Sequence, residues 1–327
     1  MQFRRSILVL AVAGVLAACS DGDAPMAEVP EQSKSESASD EGASVTEAEP
    51  VLMTWTDLLS RERPEPTRSM FWGPEEHQVV DVWMPEGDGP HPVVLMVHGG
   101  CWQKAIADRT LMNYAAEDLR QRGIAVWNIE YRGVDEEGGG YPGTFIDVTQ
   151  AAQPLFQVGE QMGFDTSRVV GFGHSAGGHL ITWLDARSNL SPDSAAYSNG
   201  QVYQMKAVIN SGGLADLEAS SPVTLDTCLA AIEDKLTGTA DDDRPDVYAD
   251  TSSARLQPGG SRQISVNGTH DRIAPPELGK GFTTRVEDKG GKAQYVEIPD
   301  SGHVELISPG TDAWEMQVAL IKAALED

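Results

Sequence analysis

The chain has 327 residues, with 50 acidic against 24 basic side chains and a net charge of −26. That balance repels nucleic-acid phosphates and anionic lipid surfaces, so it argues against both as electrostatic partners. Hydrophobic residues make up 40% of the chain, enough for one sizeable core.

The first 19 residues read as a leader. Arg4 and Arg5 precede an apolar run from Ile7 to Val15, too short to remain as a membrane span. Leu16-Ala17-Ala18-Cys19 follows. It resembles the lipobox of bacterial lipoproteins, which implies cleavage before Cys19 and lipidation of its thiol and new amino group. The alternative is an ordinary secretory signal with a small-residue cleavage site. The resemblance places the protein in a bacterial cell envelope, held by a lipid anchor. Ser20, rather than aspartate, follows the cysteine, and this favours the outer membrane in a Gram-negative cell. Residues 20–50 are rich in Ser, Glu, Asp, Ala and Pro and lack aromatic residues. Such a segment buries too little apolar surface to offset ordering, so it reads as a disordered acidic tether. Residues 51–327 then form one folded domain.

Strands and helices alternate along this domain. Residues 79–83 alternate and stop before Pro85, as an early strand would. Residues 92–97 are continuously apolar, the mark of a central strand buried on both faces. Residues 111–122 have helical spacing and end at Gly123, suited to a left-handed C′ position. Residues 124–129 form the next strand. Residues 145–163 read as a helix interrupted or kinked at Pro154. Further strands are expected before Gly171 and over residues 207–210, 263–267 and 294–298. Helices are expected over 278–289 and 312–325. Residues 214–254 lack a clear period and are a candidate cap over the site. The pattern is that of an α/β protein: a mostly parallel sheet with helices on both faces and a short cap.

Gly173-His174-Ser175-Ala176-Gly177 lies between a short β-branched run and a helix start. A serine at the tip of such a strand-to-helix turn projects its Oγ above the sheet. The helix behind it aims free N–H groups and its positive dipole end at an oxyanion. An acid and a base follow in chain order. Asp271 lies beyond the strand ending at Asn267, and His303 beyond the strand ending at Ile298. Both therefore sit on loops at carboxyl ends of strands, where open α/β sheets place their sites. His303 would take the Ser175 proton and pass it to the leaving group, and Asp271 would fix its tautomer.

The chain has seven histidines. His98 belongs to a motif loop and positions backbone. His174 sits beside the serine as a candidate for the substrate pocket. His179 packs, His77 and His91 precede core strands, and His270 sits on the acid's loop. Asp216 is the main rival acid. Asp300 is too near His303 in sequence to orient it well.

His98-Gly99-Gly100-Cys101-Trp102 directly follows the buried strand. Glycines there let backbone N–H groups reach a substrate carbonyl oxygen. The candidate oxyanion residues are Gly99, Gly100, Cys101 and Ala176. Trp102 either walls the substrate pocket or packs. Cys101 and Cys228 either pair or remain two thiols, since sequence gives no distance. There is no His-Glu-x-x-His and no Cys-x-x-Cys, and Gly138-Gly139-Gly140 lacks a following Lys, so neither metal nor cofactor is implied.

Together His98–Trp102, the serine turn, Asp271 and His303 resemble the α/β-hydrolase esterases. The His-Gly-Gly-x-Trp form, with Tyr131-Arg132 and Pro142-Gly143-Thr144-Phe145-x-Asp147, is similar to the kynurenine formamidase-like and bacterial carboxylesterase branch. Arg132 and Asp147 read as structural. The likeness spans residues 75–325. Cys101 replaces the third glycine of the hormone-sensitive-lipase-like His-Gly-Gly-Gly, which speaks against esters of bulky tertiary alcohols. The resemblance implies a serine hydrolase acting on small-molecule esters of short to medium acyl groups through an acyl-enzyme. An aryl formamidase or amidase and a non-catalytic hydrolase-fold binding lipoprotein are the alternatives. A short cap implies an open pocket and poor action on long-chain triglycerides.

Overall fold

The computed structural model describes residues 49–198, 203–224 and 228–327. The leader, Cys19 and nearly all of the predicted tether lie outside the described residues.

The described chain opens with a short helix, α1 (Trp55–Leu59), closed by a capping box in which Thr54 and Asp57 exchange hydrogen bonds. Three strands follow, β1 (Arg68–Phe71), β2 (Val79–Trp83) and β3 (His91–Val97). A 3₁₀ turn at Arg109–Met112 leads into α2 (Asn113–Gln121) and then β4 (Ala125–Ile129). Next come α3 (Gly143–Val158), β5 (Phe164–His174) and α4 (Ala176–Ala186). The second half holds β6 (Ala207–Ser211), α5 (Leu217–Ser220), α6 (Glu233–Thr237), β7 (Arg262–Gly268), α7 (Pro276–Asp288), β8 (Ala293–Ile298) and α8 (Asp312–Glu326).

The eight strands form one sheet in the order β1-β2-β4-β3-β5-β6-β7-β8. Only the β1–β2 and β2–β4 pairs are antiparallel, and every other pair is parallel. The α/β-hydrolase architecture expected from the alternation of elements is the one observed. Two apolar layers cover the sheet. One packs α3 and α4 residues such as Phe145, Leu155, Leu180 and Trp183 on one face. The other packs α2 and α8 residues such as Leu119, Trp314 and Ile321 on the opposite face. Burial on both faces explains the unbroken apolar reading of β3, whose last five residues are all buried.

Two expectations about elements are corrected. Of the two readings at Pro154, the interruption does not hold: α3 continues through it and gives way to a 3₁₀ turn at Gly159–Met162. β5 begins at Phe164, three residues before Ser167, where the β-branched run starts, and pairs with β3 and β6 so that Gly173 stands beside Val97 and His174 beside Ser211. Among the described residues no helix is long and apolar enough to cross a membrane.

Candidate active site

The site is built where the central strands end. β5 hands directly over to α4 at Ser175, whose backbone is forced to φ 57° and ψ −122°. A non-glycine residue there is strained, and the surroundings over-determine it. The Ser175 N–H donates to the Ser211 carbonyl at 2.9 Å. A Cβ on Gly173 would lie 2.1 Å from the Gly177 carbonyl oxygen, so the turn closes only with glycine at that position. The first turn of α4 starts at Ala176, and its leading N–H groups have no acceptor within the helix.

Asp271 and His303 come together from the loops after β7 and β8. The His303 Nδ1–H donates to Asp271 Oδ2 at 2.7 Å, with the carboxylate side chain fully buried. The other carboxylate oxygen, Oδ1, accepts the N–H groups of Ile273 and Ala274, each at 2.8 Å. The carboxylate is thus fixed on both sides, and it fixes the imidazole tautomer with Nε2 unprotonated. The rival acids are occupied elsewhere. Asp216 pairs with Arg285 at 2.6 Å and caps α5. Asp300 is exposed and faces His270 at 3.8 Å.

The loop after β3 carries three consecutive residues at positive φ, Gly100, Cys101 and Trp102. His98 organises it. The His98 Nδ1 lies 2.7 Å from the Gly99 carbonyl and Nε2 lies 2.7 Å from Glu130 Oε1. A trans peptide holds its C=O and N–H on opposite sides, so tying the Gly99 carbonyl to His98 turns the Gly100 N–H the other way. Glu130 is buried at the end of β4 and also accepts from Lys104 Nζ at 2.9 Å. Burial raises its pKa, but the His98 and Lys104 charges outweigh burial and hold the carboxyl well below the usual range. Tyr131 stacks on His98 with centroids 4.3 Å apart and donates its hydroxyl to the His98 carbonyl at 3.0 Å. Arg132 and Asp147 form a bidentate pair at 2.7 and 2.8 Å that joins the loop after β4 to α3.

A pocket of about 370 Å³ opens over these groups. It is lined by Gly100, Cys101, His174, Ser175 and His303, with an apolar wall of Trp55, Leu59, Ile106, Ala107, Leu111 and Ile273. Gly99 packs beside Ser175, where an added Cβ would meet Ser175 Cβ at 3.0 Å. His174 Nε2–H donates to the His303 carbonyl at 3.1 Å, and the two rings lie 4.3 Å apart. Burial first, then the neighbouring His303, pushes the His174 pKa well down, so this ring stays neutral beside the His303 imidazole.

One open alternative is resolved and one placement differs from expectation. Trp102 is not in the pocket: it is fully buried and donates its indole N–H to His179 Nδ1 at 3.2 Å. Its left-handed backbone turns the side chain inward, where burial lowers the His179 pKa to about 4 and leaves that ring a neutral acceptor. The described lining also takes nothing from residues 214–254, the candidate cap. That segment is joined to the loop instead by a disulfide between Cys101 and Cys228, resolving the alternatives in favour of pairing.

Three participants carry no motif and are missed in the sequence. Glu130 follows an apolar strand, Glu305 follows His303 by two residues, and Trp55 precedes the first strand. A buried acid after a central strand was the available signal for Glu130. Among the described residues no group of three or more His, Cys, Asp or Glu is placed to hold a metal ion.

Comparison with known proteins agrees with this architecture. Among solved structures, a truncated carbohydrate esterase from gut microbiota is 19% identical, with TM-score 0.64, covering 80% of this chain and 98% of that one. Esterase B from Lactobacillus rhamnosis is 18% identical, with TM-score 0.67 and coverage of 81% and 89%. Esterase 2 of Thermogutta terrifontis with propionate bound is 19% identical, with TM-score 0.62 and coverage of 82% and 96%. At these identities the likeness establishes the fold. No curated protein matches. The BD-FAE family model matches residues 80–285, from β2 into α7, and the chain therefore belongs to the BD-FAE family.

Proposed function

We propose that the protein is a serine hydrolase that cleaves carboxylic esters of short to medium acyl groups. The observation that carries this reading is a buried Asp271–His303 pair facing the same pocket as a serine on a strained strand-to-helix turn. Ser175 Oγ attacks the ester carbonyl carbon as His303 Nε2 takes its proton. Negative charge develops on the carbonyl oxygen, where the N–H groups of Gly100, Cys101 and Ala176 are the candidate donors. Collapse of the tetrahedral species breaks the bond to the alcohol oxygen, which receives the proton from His303. Water, deprotonated by the same imidazole, then releases the acid from Ser175. Asp271 keeps His303 in the productive tautomer and stabilises the imidazolium.

The neighbouring structures named as esterases, one with propionate bound, support an ester and a small acyl group. The pocket supports the same reading, because its volume lies at the small end for ligand sites and its far wall is apolar. The test is hydrolysis of p-nitrophenyl esters from acetate through decanoate, with Ser175→Ala alongside. Turnover is expected to peak at the short to middle esters and to fall at least about 10⁴-fold in Ser175→Ala. Turnover that survives in Ser175→Ala contradicts the proposal.

A further inference from the structure

The segment before the sheet does not merely lead into it. α1 carries Trp55 and Leu59 into the pocket that holds Ser175 and His303. The Trp55 ring stands nearly perpendicular to the His303 and His174 rings, at 6.2 and 6.3 Å between centroids. Leu58 is fully buried and anchors the strap. The Met53 N–H donates to Glu305 Oε1, while the other oxygen of that carboxylate accepts the Gly302 N–H at 3.1 Å. One carboxylate therefore ties the strap to the loop that carries His303. Beyond α1, Arg61 Nη1 donates to the Pro309 carbonyl at 2.9 Å. Leu59 is 44% exposed, and Ile106, which lines the same pocket, is 54% exposed. Large apolar side chains left in water at the mouth of a pocket mark a surface that an apolar group covers.

We infer that Trp55 and Leu59 form the wall that receives the alcohol part of the ester and selects alcohols carrying an aromatic ring. This inference rests on the ester-hydrolase reading above. In that reaction His303 passes its proton to the departing alcohol oxygen, so the alcohol lies on the side of the pocket next to His303. Trp55 flanks His303 on the pocket side, as the His174 ring does, and of the two it offers the larger apolar surface. An indole there offers a ring surface and edge to an aromatic alcohol at little cost in side-chain freedom. A small alkyl alcohol is too short to cover it.

The experiment fixes the acyl group as acetate and varies the alcohol, comparing ethyl with benzyl acetate in Trp55→Ala, Trp55→Phe and Leu59→Ala. In Trp55→Ala, the ratio of kcat/KM for benzyl acetate to that for ethyl acetate is expected to fall about tenfold. Trp55→Phe restores most of the loss. Leu59→Ala, a partly exposed position that tolerates truncation, lowers the same ratio by a smaller factor. Binding of benzyl alcohol to Ser175→Ala protein, read by saturation-transfer NMR, weakens when Trp55→Ala is added. Equal losses on ethyl and benzyl acetate, or an unchanged ratio in both truncations, overturn the inference. If neither ester is hydrolysed yet benzyl alcohol binding still depends on Trp55, the serine-hydrolase reading fails and the wall stands. If the esters are hydrolysed and that binding ignores Trp55, the wall fails alone.

Discussion

Gly212 shows how little free volume surrounds the Asp271–His303 pair that is proposed to activate Ser175. It sits just beyond β6 at φ 51°, its N–H donating to the Val266 carbonyl at 2.7 Å. A Cβ there would lie 3.1 Å from both Asp271 Oδ2 and His303 Nδ1, and 2.8 Å from Leu306 Cδ1. Gly212→Ala therefore pushes on the hydrogen bond itself. We expect kcat to fall at least tenfold with KM within about twofold, measured by steady-state hydrolysis of a short p-nitrophenyl ester. An unchanged kcat would show that the pair tolerates displacement. The residues proposed to do the chemistry were the legible ones, because Ser175, Asp271 and His303 follow a fixed chain order at fixed places relative to strands. The residues that hold them were not. Glu130, Glu305 and Trp55 act through folded contacts with His98, Met53 and His303, which no local spacing encodes. Trp102 shows where proximity in sequence does not decide: pocket wall and packing residue were both open readings, and at its positive φ the side chain lies in the core.

At the scale of elements, periodicity located every strand from β2 to β8 and every helix of nine residues or more. It missed β1 and the short helices α1, α5 and α6. β1 has four residues in an exposed pattern without alternation, and α1 has five residues, too few for a 3.6-residue period. Thr54 and Asp57 were the signal for α1, as a capping pair three residues apart. β5 was read short because it was located only by the β-branched run that starts at Ser167, although the ladder to β3 already includes Phe164. The candidate cap was placed by elimination, and its real connection to the site is covalent. Cys101 and Cys228 are 127 positions apart and join the segment between α5 and α6 to the loop after β3. In the chain-entropy account, a cross-link over such a loop is worth roughly 4–5 kcal/mol. Cys101→Ser with Cys228→Ser is therefore expected to lower the unfolding midpoint by roughly ten degrees in a calorimetric scan. A midpoint that does not move would mean that the bridge adds no stability.

Over the whole molecule, buried carboxylates give stability an unusual dependence on pH. Asp185 on α4 accepts from Ser261 Oγ and from Gln263 Nε2, yet burial pushes its pKa up from 3.8 to about 6. In the unfolded chain it ionises near 4, so between about pH 4 and 6 the folded state holds a proton that the unfolded state has lost. That contribution is fully present below pH 4 and is lost as pH rises through 6. A shift of about two units corresponds to roughly 3 kcal/mol. Glu130 has the opposite sign: its lowered pKa stabilises the fold above the unfolded value of about 4.3 and the gain is lost in stronger acid. The unfolding midpoint is thus expected to fall between pH 4.5 and 6.5, and Asp185→Asn to flatten that slope. Relief of self-repulsion at net charge −26 works in the same direction in both proteins, so the difference between them isolates Asp185. Equal slopes would contradict the assignment.

The central claim is that Ser175, served by His303 and Asp271, is the nucleophile. The most direct measurement is covalent trapping: incubation with a fluorophosphonate, then peptide mass spectrometry of the full chain. The account predicts a single adduct on the peptide containing Ser175, formed at least a hundredfold more slowly in His303→Ala. No adduct, or one on another serine, would contradict it.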